Sequence, residues 1–127
     1  MKILLIFLGG GLGSLSRYLM YLLTSSLFAY AQITTIIVNV LGCLLIGIVY
    51  SSLQKFSLEY SYIKDFIITG FLGGFTTFST FSLDFHSLIQ DNKLPYAILY
   101  VIISIVLGLS GFLLGAYLTK ISCFFST

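Results

Sequence analysis

Residues 70–86 read GFLGGFTTFSTFSLDFH, and this stretch concentrates the chemistry of the chain. Five hydroxyls, on Thr76, Thr77, Ser79, Thr80 and Ser82, alternate with the rings of Phe75, Phe78, Phe81 and Phe85. A hydroxyl donates to an anion, and the edge of a phenyl ring carries positive potential. Together they would meet a small anion that must shed its water, with no fixed charge to trap it; conduction requires that the ion leave again. Ring packing and hydroxyl back-bonding to the preceding turn account for any one of these residues, but less well for the whole run. The residues alone therefore point to a passage for an anion or another polar solute.

Other candidates lie upstream. Glycine disfavours regular helix, so Gly73-Gly74 predicts a break near mid-membrane. Carbonyls freed there need partners, and with the Thr76 hydroxyl they would suit a hard monovalent cation. Asn39 sits in an apolar segment, where its amide must bond another helix, line a water-filled passage or meet a ligand. Arg17 either snorkels to the membrane surface or stands at the mouth of a pathway and gathers anions. No carboxylate is expected deep in a span: Glu59 falls in a loop, and Asp65 and Asp84 fall near the ends of the third helix. Asp84 and His86 read as interfacial residues without a role. Cys43 and Cys123 have no metal-ligand spacing and read as unpaired small hydrophobes.

The elements that position these residues must live in lipid. Of 127 residues, 58% are hydrophobic and 8% charged, with a mean hydropathy of +1.09, which leaves no polar shell for a soluble domain. The net charge of +2 is too small and scattered for a nucleic-acid partner. A span takes roughly 20 residues. The chain reads as a single integral-membrane domain, 1–127, all-α, with helices at about 3–23, 33–53, 63–85 and 95–119. Pro95 suits the first turn of the fourth. The apolar start and Ala29-Tyr30-Ala31 mimic a cleaved signal, but Arg17 interrupts the run, and the segment reads as a retained first helix. Lys2, Lys55, Lys64 and Lys120 lie on the side of the termini against Lys93 on the other, a weak bias that places the termini in the cytoplasm. Pairs of glycines four apart (Gly9/Gly13, Gly70/Gly74, Gly111/Gly115) predict close helix packing.

Three stretches, GGGLGSLSRY (Gly9–Tyr18), VNVLGCLLIG (Val38–Gly47) and GFLGGFTTFSTFS (Gly70–Ser82), resemble the Fluc, or CrcB, fluoride channel family in order and spacing. The resemblance implies a multi-pass protein of the bacterial plasma membrane, assembled with itself as an antiparallel, dual-topology homodimer that exports fluoride. It implies a structural sodium ion at the dimer centre, held by backbone oxygens at positions matching Gly73 and Thr76. It assigns the fluoride pathway to Phe78, Phe81, Ser79, Thr80 and Asn39, and the aqueous vestibule to Arg17. From the fourth helix Ser104 would complete the track, with Ser110 behind it.

Three alternatives compete. A small multidrug-type four-helix transporter also fits the length, but it needs a buried carboxylate in its first helix, where this chain has Arg17. A membrane-embedded enzyme needs clustered acids and bases, and Asp65, Asp84 and His86 are too few. A scaffold subunit would leave the hydroxyl–phenylalanine run idle.

Overall fold

The computed structural model of the protein describes residues 1–28, 30–55 and 61–124. In chain order it forms α1 (Lys2–Thr24), α2 (Ala31–Lys55), α3 (Ser61–Ile63), a π-helical run (Lys64–Leu72), α4 (Gly73–Phe75), α5 (Phe78–Gln90) and α6 (Leu94–Phe124). No strand occurs among the described residues. Among the described residues four stretches are long and apolar enough to cross a bilayer: Lys2–Thr24, Ala31–Gln54, Lys64–Gln90 and Leu94–Lys120. Helices extend beyond the expected bounds, most at the ends of α5 and α6, which continue to Gln90 and Phe124. Ala29 and the middle of the second connection, with Glu59, lie outside the described residues, as does the Cys123 side chain.

In lipid the apolar effect does not hold helices together, so backbone approach must. The glycines supply it, in two parallel pairs. A Cβ on Gly9 would strike the carbonyl oxygen of Phe66, and one on Gly13 that of Phe71, so α1 runs alongside the third span in register. A Cβ on Gly47 would strike the carbonyl of Phe112, and one on Gly115 that of Leu44, which seats α2 against α6. Outward faces remain apolar: Leu4, Phe7 and Leu15 of α1, and Leu109, Leu113 and Leu114 of α6, are all exposed. Lipid must cover them.

The connection between α5 and α6 is closed by a Schellman motif. Lys93 N–H donates to Leu88 O (2.9 Å), Asn92 N–H donates to Ile89 O (2.9 Å), and Asn92 takes the left-handed conformation at φ 58°. Two residues later Pro95 lies in the first turn of α6, as its fixed φ allows.

The helical interruption in the third span is not at the glycine pair. Gly73 is helical (φ −63°, ψ −37°), and Gly74 lies within α4. Extended backbone appears instead at Thr76 (φ −76°, ψ 158°) and Thr77 (φ −151°, ψ 120°). The reason is tertiary. Gly74 is small because α1 presses on it; a Cβ there would strike the carbonyl of Gly10. The helix is opened by a side chain on another helix, Asn39.

Candidate functional site

Asn39 grips the backbone of Thr77 with both ends of its amide. Thr77 N–H donates to Asn39 Oδ1 at 2.8 Å, and Asn39 Nδ2 donates to Thr77 O at 3.0 Å. In a continuous α-helix the N–H of Thr77 would close on the carbonyl of Gly73. Asn39 takes that proton, so Gly73 loses its i+4 donor. Of the alternatives open in the sequence, Asn39 makes the interhelical bond.

Past the interruption α5 begins with a side-chain cap. Thr77 Oγ1 accepts from Thr80 N–H at 3.1 Å and lies 3.0 Å from Thr80 Oγ1 and 3.2 Å from Ser79 Oγ. Three hydroxyls thus converge at a helix N-terminus, where the unpaired N–H groups carry partial positive charge. Thr77 is buried, while Ser79 is exposed.

Thr76 faces the other way. Its Oγ1 donates back to Leu72 O (2.9 Å), and its carbonyl accepts from Arg17 Nη1 (3.3 Å). Arg17 therefore does not snorkel free; it is bonded to the interruption itself. Ser14 Oγ approaches Gly74 O at 3.5 Å on the same side.

The aromatic residues form a short stack. Phe78 and Phe81 lie 5.4 Å apart between centroids, and Phe81 stacks on Tyr100 at 5.0 Å. Phe78 is 80% exposed, an unusual position for a ring beside a polar cluster. Ser104 lies one turn beyond Tyr100 and donates to its carbonyl (2.7 Å). Ser110 is exposed on α6, about 9 Å further along the axis, and is not brought into the cluster.

Asp84 corrects the sequence reading. It is not without a role: it is 9% exposed, six residues inside the end of α5, and bonded to two other helices. Its Oδ2 accepts from Thr35 Oγ1 (2.6 Å) and Tyr100 OH (3.2 Å). Since Thr35 gives its single proton to Asp84, Tyr21 OH is the donor in the 2.6 Å contact with Thr35 Oγ1. One chain of hydroxyls around one carboxylate thereby joins α1, α2, α5 and α6. Its members are 14, 49 and 16 residues apart in sequence, a separation that no local pattern reveals. The only hint was a carboxylate inside a run otherwise apolar enough to span. Asp84's partners among the described residues are neutral.

The site thus comprises an open helical turn, a hydroxyl cluster at a helix N-terminus, an outward-facing aromatic stack and a shielded acid. Nothing in it resembles a nucleophile with an adjacent base. It can present hydrogen-bond donors and ring edges to an anion, and backbone oxygens to a cation.

A family model described as CrcB-like protein, Camphor Resistance (CrcB) matches residues 4–116. Among curated proteins, the chain is 42% identical over 120 residues to a protein of Azobacteroides pseudotrichonymphae named fluoride-specific ion channel FluC, covering 94% of this chain and 96% of that one. A protein of the same name from Flavobacterium psychrophilum is 43% identical over 117 residues, covering 89% and 92%. One from Bacteroides fragilis is 43% identical over 122 residues, covering 92% and 94%.

Proposed function

The chain belongs to the CrcB family of multi-pass membrane proteins, and on that footing we propose that it is a fluoride-selective channel that lets fluoride leave the cytoplasm down its electrochemical gradient. The observation that carries this reading is the surface after the interruption. An 80% exposed Phe78 ring stands beside exposed Ser79 and the hydroxyls of Thr77 and Thr80. Lipid is a poor neighbour for such a surface, because hydroxyls bonded only to one another keep donor and acceptor capacity that hydrocarbon cannot meet. A second copy packed antiparallel would cover it and leave a passage lined by Phe78, Phe81, Ser79 and Thr80, with Ser104 one turn beyond Tyr100 on α6. The hydroxyls donate to the ion, the ring edges replace lost water, and no fixed cation holds it. Arg17, tethered to Thr76, adds positive potential on the approach.

A sodium ion at the centre of that dimer fits the donors present. Gly73 is exposed and its carbonyl has lost the Thr77 N–H; the Thr76 carbonyl retains a lone pair beyond the one facing Arg17. Among the described residues no three His, Cys, Asp or Glu side chains come together, so backbone oxygens would be the ligands. The ion would supply fixed positive charge that ties two protomers at their interruptions. Asn39 acts by holding those carbonyls open.

The buried Asp84 is the feature a proton-coupled transporter would exploit, and it separates the two readings by experiment. Purified protein in liposomes loaded with potassium fluoride should release fluoride when valinomycin clamps the voltage, with no imposed pH gradient, while chloride-loaded vesicles stay sealed. Phe78→Ile and Phe81→Ile should each cut the rate by about tenfold or more, the scale of one lost interaction near 1.4 kcal/mol. Release that needs a proton gradient, or chloride release at the same rate, would refute the channel reading.

A further inference from the structure

A second feature lies away from the hydroxyl cluster, where the N-terminal ends of α2 and α6 meet the C-terminal end of α5. A crevice of about 350 Å³ opens there. Its depth is apolar for the most part, walled by Ile33, Ile36, Leu99 and Ile103, with the Tyr100 ring, whose hydroxyl is held by Asp84, on one side. Its mouth is polar and cationic: Lys93, Gln32 and the rings of Tyr30 and Tyr96. Lys93 directly precedes α6 and Tyr30 directly precedes α2, so the mouth stands at one membrane surface. Ile103 lies nine residues into α6, about 14 Å deeper along the axis.

We propose that this crevice binds a single anionic phospholipid, its phosphate at Lys93 and one acyl chain between α2 and α6. The depth is hydrocarbon in character, whereas the mouth carries one cation, an amide and two tyrosines of the kind that settle at headgroup level. The N-terminal ends of two long helices, 25 and 31 residues, add partial positive charge at the same level. Lys93 is available to a phosphate: its ion pair with Asp91 (3.2 Å) joins two exposed side chains, a contact of little strength in water. Basic mouths between spanning helices suit anionic headgroups for these reasons. The proposal is independent of what the protein conducts.

The chain contains no tryptophan, which makes a clean probe available. Tyr96 is 67% exposed, so Tyr96→Trp places one indole at the mouth without disturbing the core. In proteoliposomes, brominated phosphatidylglycerol should quench this indole at about fivefold lower mole fraction than brominated phosphatidylcholine, the scale set by one lysine at an anionic surface. Adding Lys93→Gln should erase the difference, and Lys93→Arg should keep it. Ile103→Phe, which fills the depth, should weaken quenching by both lipids. Equal quenching by the two lipids, or a preference that survives Lys93→Gln, overturns the proposal. So does an indole that neither lipid reaches, the result expected if a second copy seals the crevice.

Discussion

At the scale of single residues, two side chains hold the most structure. Asn39 bonds both backbone groups of Thr77, and removing it strands a buried N–H at the interruption and takes a donor from the Thr77 carbonyl. A buried group left unpaired costs about 1–3 kcal/mol. Asn39→Ala should therefore lower the thermal midpoint of the detergent-solubilised protein and reduce fluoride release together. Asn39→Asp should do the same to a similar degree, because it keeps an acceptor for Thr77 N–H but sets a carboxylate against Thr77 O. Asp84 presents the opposite case, one acceptor shared by two donors. Asp84→Ala leaves the hydroxyls of Thr35 and Tyr100 without their acceptor. Tyr100→Phe removes one donor yet leaves Thr35 on the carboxylate. Melting curves should rank Asp84→Ala well below Tyr100→Phe, and equal midpoints would show that the hydroxyl chain does not hold the helices together.

At the scale of helices, the glycines decide which spans touch. A Cβ at Gly13 would meet the backbone of Phe71 and Phe75, neither of which can swing aside, whereas one at Gly11 meets nothing within 4 Å. Overpacking of this kind costs about 1–3 kcal/mol. Gly13→Ala should thus separate α1 from the third span and lower the midpoint, while Gly11→Ala leaves it unchanged or raises it slightly, as helix propensity favours alanine. The same contrast explains which parts of the fold were legible in the sequence. The four spans follow from runs of apolar residues, a local property, and the paired glycines announce close packing. The interruption does not follow, because Gly73-Gly74 has the composition of a break but the job of a contact, and the real opening is imposed by Asn39 from 38 residues away. The partners of Asp84 were hidden for a related reason: nothing near it in sequence announces them, and only Thr35 and Tyr100, from two other helices, reveal that it is enclosed. The hydroxyl–phenylalanine run was legible as chemistry, but folding alone makes Thr77, the cap of α5, its buried centre.

At the scale of the molecule, the antiparallel partner proposed to cover the exposed face of Phe78 and Ser79 requires that the chain insert both ways. The charges permit it. Lys2, Lys55, Lys64 and Lys120 on the side of the termini outweigh Lys93 by a margin that a few added lysines would enlarge or reverse. A C-terminal reporter that is active only in the cytoplasm and one active only outside should therefore both score in cells. Ser126→Lys with Thr127→Lys should fix the termini inside, and Gln90→Lys with Asp91→Lys, combined with Lys2→Gln and Lys64→Gln, should drive them outside, because three lysines on the far side then face two. Each locked variant alone would lack an oppositely oriented partner, so fluoride release from cells expressing it should collapse, and co-expression of the two should restore it. Full release from either variant by itself would mean that a single orientation suffices, and the face around Phe78 would then have to be covered by something other than an inverted copy of this chain.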